Sequence, residues 1–531
     1  MAVNVAGLVA VGVFYVVILL TGILASRKSK QVEKKCLERR SEVAIVGGRN
    51  INIVVSVFTM TATWVGGGYI MGTAEAVYMP TRGLVWASAP LAYLVNFILG
   101  GLLFAKPMRS KRYVTMLDPF QHCYGQSFTT AILIPNLLSD IFWVACILAG
   151  LGATMSIVLD ISPILSILIS AAVSIIYTVL GGLYAVVYTD IIQLSFIFVS
   201  LWLCIPFIFL SPALTDLSQT IHLNDSNVHS WIGEALGGLS CQSLHQRILA
   251  AASSSKAQVS CFAAAAFAFI MGIPSVIIGA TAASADWNQT EYGLPPPYER
   301  GEAGNILPLA LSYITPSWVS VLGIGSVAAA VMSSTDSALL SSASMFTQNI
   351  YKATLRKQAS DRELQWVTRI CVLMVGLAGT GLAFNKSSML ALLLLTTDLL
   401  YCIVTPQLVC VVHLRSANCY GAISGYTVAL LLRVLSGEPA LGIPPVLLYP
   451  GWREADGVIT QYFPFRTLIA FISLAVVVLV SCLVQLGFNH NVIPHSWDVL
   501  DVFKKKIEPE EDETPTPLSH EGKNFVLNTA L

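Results

Sequence analysis

Hydrophobic residues run along this chain in long, nearly unbroken blocks rather than in the short alternations of a soluble fold. Blocks long enough to cross a bilayer, about 17–25 residues each, fall at roughly 6–26, 51–77, 84–105, 128–156, 160–181, 184–210, 231–251, 257–283, 317–348, 365–384, 388–413, 419–436 and 467–487. They predict an all-α integral membrane protein with about thirteen spans. Two of the blocks are interrupted. The second contains Thr61-Ala-Thr-Trp64-Val-Gly66-Gly67-Gly68-Tyr69-Ile-Met71-Gly-Thr-Ala74. Glycine weakens a helix interior, so three in a row predict an unwound or sharply kinked turn. In lipid, a broken helix survives only where protein or a water-filled cavity takes up the freed backbone groups.

The seventh block reads Glu234-Ala-Leu-Gly237-Gly238-Leu-Ser240-Cys241-Gln242 and carries a second glycine pair. Two interrupted spans in corresponding positions point to an inverted-repeat transporter. The seventh block follows the second by five spans, an odd interval, so the two broken helices enter from opposite faces. The expected organisation is a first span and cytoplasmic basic loop (1–50), a first five-helix repeat (51–210), and a second, inverted five-helix repeat (211–413). Two C-terminal spans (414–488) and a cytoplasmic disordered tail (489–531) follow.

Composition agrees with this pattern. Of 531 residues, 55% are hydrophobic and only 11% charged, with mean hydropathy +0.71, against roughly 25% charged in a soluble domain. The first block lacks a basic leader and a small-residue cleavage site, so it reads as a span rather than a signal peptide. Orientation follows from the basic residues. The loop 27–50 alone carries Arg27, Lys28, Lys30, Lys34, Lys35, Arg39, Arg40 and Arg49, which places the N-terminus outside and the C-terminus in the cytoplasm. The three N-glycosylation sequons, at Asn224, Asn288 and Asn385, then all fall in outside loops. None of the eleven cysteines has metal-ligand spacing or lies in an outside loop, so no disulfide is expected. The Pro-rich loop 284–316 suggests an extracellular lid, and residues 113–127 read as a re-entrant or interfacial helix. In the tail, Lys504-Lys505-Lys506 is suited to anionic lipid. A regulatory or trafficking role and a merely solvated tail both remain open. Membrane lipid is thus a partner, nucleic acid is not expected, and the oligomeric state is not legible.

Candidate chemistry concentrates in few places. In the ninth block Ala330, Ser333, Ser334, Ser337, Ser341 and Ser344 share one helical face. Sodium is a hard cation that takes oxygen ligands, and such hydroxyls together with carbonyls freed at the first break would hold it. Small and hydroxyl residues also simply pack helices closely, and that reading stands beside the first. Asp336, in the same block, is a carboxylate placed in the membrane, where such groups are costly and usually functional. It either serves a cation or pairs with a buried basic group. Asp190, near a helix start, reads equally as a cap, Glu234 as a solvated group, and no role is assigned to Asp140 or Asp398. Trp64, Tyr69, Tyr93 and Trp143 come from three spans of the first half. A quaternary ammonium cannot donate hydrogen bonds, so aromatic faces recognise it; these rings form such a cage or an interfacial belt. No nucleophile–base pair or metal cluster suggests an enzyme.

Several stretches carry a resemblance: Glu42-Val-Ala-Ile-Val-Gly-Gly-Arg49, Phe58-Thr-Met-Thr-Ala-Thr-Trp-Val-Gly-Gly-Gly-Tyr69, Gly72-Thr-Ala-Glu-Ala-Val-Tyr78, Ala105-Lys-Pro-Met-Arg-Ser-Lys111, Tyr113-Val-Thr-Met-Leu-Asp-Pro-Phe120, Asp286-Trp-Asn-Gln-Thr290 and Ala330-Val-Met-Ser-Ser334. The chain resembles the high-affinity choline transporters of the sodium/solute symporter family over nearly its whole length, the tail excepted. The resemblance implies a LeuT-like 5+5 inverted-repeat core with additional helices, and sodium-driven, chloride-dependent choline uptake at the plasma membrane. It further implies service to acetylcholine synthesis and a presynaptic location. It assigns sodium to the Ala62 and Val65 carbonyls, Ala330, and the Ser333 and Ser334 hydroxyls, and choline to Trp64, Tyr93, Trp143 and the seventh-span position occupied here by Cys241. The family reads Gly-Gly-Ile-Pro-Trp-Gln-Ala-Tyr-Phe-Gln-Arg where this chain reads Gly237-Gly-Leu-Ser-Cys241-Gln-Ser-Leu244-His245-Gln-Arg247. A tryptophan and two further aromatics are thereby lost, and Met71 replaces an Asn. The alternatives are the same machine with another small organic solute, and a transport-poor regulatory paralogue.

Overall fold

The computed structural model describes residues 45–80, 82–159, 162–214, 236–384, 389–438, 441–455 and 458–500, with scattered positions between 12 and 24, Glu42 and Val502. The basic loop from Arg27 to Arg40, Asn224, Glu234, Asn385 and the tail beyond Val502 lie outside the described residues.

The second span is two helices. Asn52 caps the first by accepting the Val55 N–H at 2.8 Å, and α1 runs Ile53–Trp64. After Val65 and Gly66 the chain resumes as α2, Gly67–Tyr78, bent 53° from α1. The third span, Leu84–Ser110, contains α3 (Ser88–Leu99). The interfacial segment forms only a short helix, α4 (Asp118–Tyr124), before α5 (Gln126–Leu159). The helical run α6, Pro163–Phe209, holds two spans, because Gly182 interrupts it at φ 61° and ψ −166°. That conformation is open to glycine and strained for other residues, and it falls between the expected spans 160–181 and 184–210.

The seventh span is again broken. A short 3₁₀ turn at Gly238–Ser240 precedes α7, Gln242–Ala250, and α8, Ser254–Ala283, follows. The loop beyond α8 is pinned: the Tyr298 N–H donates to Tyr78 Oη at 3.1 Å, and the Arg300 guanidinium lies over Tyr292 at 4.1 Å. It includes α9, Ile306–Tyr313. Helices α10 (Ser317–Met345), α11 (Asp361–Ala383), α12 (Met389–Leu399, continuing to His413), α13 (Cys419–Leu435) and α14 (Phe465–Asn489) complete the bundle. A three-residue strand pair, Arg453–Ala455 with Val458–Thr460, lies between the last two.

Among the described residues, eight helices are long and apolar enough to span a membrane, or nine with the bent α1–α2 pair. Pro163–Ile176 and Cys419–Leu435 are shorter apolar helices, so the expected count of thirteen is not reached by length alone. Beyond α14, residues expected to begin a disordered tail are docked: Tyr420 Oη donates to Asp498 Oδ1 at 2.9 Å.

Helix α10 is the axis of the molecule. From Gly323 to Met345 every residue is buried, and the helix packs on both α5 and α6. Burial on all sides explains why its sequence lacks a polar outer face. Helix α12 is fixed differently. Asp398 accepts from Arg433 at 2.7 and 3.0 Å and from Arg466 at 2.9 Å, and Arg433 also bonds Glu438. Two cations and two carboxylates balance inside the bundle, tying α12 to α13 and α14. Removing one member of a buried pair leaves an uncompensated charge and costs about 3–5 kcal/mol. Asp398→Ala is therefore expected to lower the melting temperature of the detergent-solubilised protein, read by fluorescence-detected size exclusion; an unchanged melting temperature would show that the cluster is not structural.

Candidate functional site

The break between α1 and α2 frees backbone carbonyls. The Val65 N–H bonds the Thr61 carbonyl and the Gly66 N–H turns back to Trp64. Among the described residues no backbone N–H reaches the carbonyls of Ala62 or Val65. Ser333 on α10 fills part of the gap, its Oγ lying 3.1 Å from the Ala62 carbonyl and 2.6 Å from Asp190 Oδ1. The next hydroxyl, Ser334 Oγ, is fully buried and has no hydrogen-bond partner among the described residues.

Gly66 is present because nothing larger fits. A Cβ there would stand 1.9 Å from Ser334 Oγ and 3.5 Å from the Ala330 carbonyl. The break and α10 therefore meet at backbone distance, and the Ala62 carbonyl, Ala330, Ser333 and Ser334 converge on one spot. An orphaned buried hydroxyl beside freed carbonyls is a set of hard oxygen donors, and it fits a sodium ion. The serine stripe of α10 faces the two broken helices, with Ser337 Oγ 3.1 Å from Thr63 Oγ1 and 2.8 Å from an Arg247 nitrogen.

Beside this spot lies a small cavity. Its walls come from α1 (Thr63, Trp64), α5 (Ser139, Asp140, Trp143), the second break (Gly238, Cys241, Ser243), α10 (Ser334, Ser337) and α12 (Thr396, Thr397, Leu400). The two breaks touch at its edge: a Cβ on Gly238 would stand 2.4 Å from the Trp64 ring. Ser334 belongs both to the cavity wall and to the oxygen cluster.

Comparison with known proteins agrees with this architecture. The model of the sodium:solute symporter family matches residues 45–221 and 214–429. The chain is 46% identical to "High affinity choline transporter 1" of Homo sapiens, over 97% of this chain and 91% of that protein. It is 42% identical to the Drosophila melanogaster protein of the same description, over 93% and 81%. The chain belongs to the sodium:solute symporter family. More distantly, it is 25% identical to the sodium/proline symporter of Escherichia coli, over 73% and 79%. A solved sodium-coupled sialic acid symporter shares the fold with a TM-score of 0.71 at 17% identity, over 90% of this chain and 97% of that one. A nucleobase-cation-symport-1 family transporter follows with a TM-score of 0.51 at 12% identity, over 82% and 93%. The fold is thus the LeuT-like helical one that the resemblance implied.

Within this symporter, three of the four expected cargo residues, Trp64, Trp143 and Cys241, line the cavity. Tyr93 stands behind the wall: it meets Trp64 edge-on at 5.0 Å and stacks on Tyr69 at 4.7 Å. Tyr69 in turn donates to the Ala268 carbonyl at 2.9 Å. Of the three positions in the seventh span where an aromatic is lost, only Cys241 lines the cavity. His245 bonds the Leu239 carbonyl at 2.8 Å, and Leu244 is buried in the core.

Asp336 accepts from Thr178 of α6 at 3.2 Å, whereas the carboxylate that reaches Ser333 is Asp190. Asp190 is no helix cap. It is wholly buried, accepts from Thr59, and pairs with the equally buried Arg247 at 3.5 Å. Arg247 also donates to Thr59 Oγ1 at 2.9 Å, so one guanidinium joins α7 to α1, α6 and α10. Sequence reasoning missed this pair because its members are distant in the chain. It also missed Asp140, although Asp140 and Trp143 lie one helical turn apart.

Gly66→Ala is expected to push Ser334 off the break. The purified protein should then lose the rise in melting temperature that bound sodium gives, while Gly381→Ala, whose Cβ meets nothing, should keep it. Equal sodium stabilisation in both variants would remove the oxygen cluster from the sodium site.

Proposed function

We propose that this symporter imports choline, or a close quaternary ammonium, together with sodium across the plasma membrane, for acetylcholine synthesis. The observation that carries the reading is Ser334. Its orphaned hydroxyl belongs to the oxygen cluster at the first break and also lines the cavity that holds Trp64 and Trp143. A sodium ion bound by Ala62, Val65, Ala330, Ser333 and Ser334 would hold the break in the form that completes the cargo wall. Bound sodium and bound cargo then favour the same conformation, which is what coupling requires. Several relatives are described as choline transporters, which supports the choice of cargo.

The proposed cycle begins outside. Sodium enters first and fixes the break; the ammonium group then settles between Trp64 and Trp143, with Tyr93 holding the Trp64 ring edge-on. The two repeats, 51–210 and 211–413, rock around this point to open the cytoplasmic side. The N-terminus lies outside and the C-terminus inside, with the presynaptic membrane the proposed setting. Asn288, exposed in the loop beyond α8, is then accessible for glycosylation. Chloride dependence belongs to the same proposal. Cys241 gives a wall without an aromatic face, so the cavity takes choline more weakly than a complete cage, and it leaves room for bulkier ammonium groups.

The test is sodium-dependent uptake of radiolabelled choline in cells expressing the chain. Cys241→Trp adds a cation–π face worth about 0.5–2 kcal/mol, so half-saturation should fall several-fold to about thirty-fold. Ser334→Ala should raise the sodium concentration for half-maximal uptake, and replacing chloride by gluconate should reduce the rate. Absence of choline uptake in both wild type and Cys241→Trp would sink the choline reading. Uptake indifferent to sodium would sink the coupling, and choline binding without uptake would favour a regulatory protein.

A further inference from the structure

Four of the aspartates buried in the bundle invite comparison. Asp190 pairs with Arg247, and Asp398 with Arg433 and Arg466. Asp336 bonds Thr178 and lies in the field of Arg247. Asp140 differs. It is 5% exposed, and among the described residues its hydrogen-bond partner is the neutral Ser342, whose Oγ donates to Oδ2 at 2.6 Å. No Lys, Arg or His among those residues pairs with it. It lines the cavity with Trp64, Trp143 and Cys241. An acid in the membrane interior is kept at a cost, and it faces a partner or a pathway. Here the face it presents is the cargo cavity.

We propose that Asp140 is the counter-ion of the cationic cargo, a specificity-determining carboxylate that makes this cavity select positive charge. The inference rests on the proposed function for the identity of the cation, and deepens it. Two aromatic faces attract a quaternary ammonium but also tolerate an uncharged group of the same shape, because apolar contact remains. A carboxylate in a low-dielectric wall separates the two, since its attraction acts on charge alone. It also offsets the wall lost at Cys241. Ser342 holds the carboxylate in place from α10, the helix that carries the oxygen cluster, so the anion and the sodium residues share one scaffold.

Cys241 reports the potential directly. The purified, full-length protein is treated with a cationic methanethiosulfonate (the trimethylammonium-ethyl reagent) and with its neutral hydroxyethyl counterpart, and labelling of the Cys241 peptide is followed by mass spectrometry. The ratio of the two rates cancels the reactivity of the thiol itself. Asp140→Asn is expected to lower that ratio about tenfold, while Asp140→Glu preserves it. The ratio at Cys123, exposed and outside the cavity, serves as the internal reference and should not move. In parallel, protection of Cys241 by choline is compared with protection by its uncharged isostere 3,3-dimethylbutanol. Choline should protect at lower concentration in the wild type, and Asp140→Asn should close the gap. An unchanged reagent ratio in Asp140→Asn overturns the proposal, as does equal weakening of choline and isostere. A ratio that falls while choline gives no protection keeps the cation site and removes choline as its ligand.

Discussion

A helix broken inside a membrane must find partners for the carbonyls it releases, and the centre of this protein is built around that constraint. At Val65 and Gly66 the chain leaves helical geometry, and the Ala62 and Val65 carbonyls lose their helical N–H donors. Water cannot satisfy them at low cost in a dry interior. Helix α10 meets them there, and it comes close because Gly66 lacks a side chain. From that approach follow the buried serine face of α10, the contact with the second break through Gly238 and Trp64, and the cavity between them. The oxygen cluster is therefore a consequence of the break rather than an addition to it.

Charge in the interior is arranged around the same centre. Arg247 and Asp190 bind the second break to α1, α6 and α10, all through atoms that water does not reach. Such a pair gives little net stability, because desolvation opposes the attraction. Its value lies in fixing which helices meet. The Asp398–Arg433–Arg466 cluster does the same for α12, which supplies Thr396 and Thr397 to the cavity. Asp140 stands apart from both, turned toward the cargo space.

Much of this was legible in the sequence, for identifiable reasons. The breaks were visible because glycine runs in apolar blocks have few other uses, and their odd separation in span number is what pointed to an inverted repeat. The serine stripe was visible because helical periodicity needs no tertiary knowledge. The span count was harder: α13 and the first half of α6 are short, and a bundle that buries its helices in one another does not demand full-length spans. The ion pairs were hidden, because Asp190 and Arg247 carry no local signature and meet only when four helices assemble. Tyr93 was placed in the cage by resemblance, yet its ring supports Trp64 from behind. The residues just past Asn489 looked solvated, yet Tyr420 and Phe488 hold them against the bundle.

The central claim is that sodium and cargo occupy one connected site around Ser334. The most direct measurement is equilibrium binding of radiolabelled choline to the purified protein as sodium replaces potassium at constant ionic strength. Choline affinity is expected to rise with sodium, and sodium affinity to rise with choline by the same factor, with both effects lost in Ser334→Ala. Choline binding that is equal in sodium and potassium would contradict the shared site.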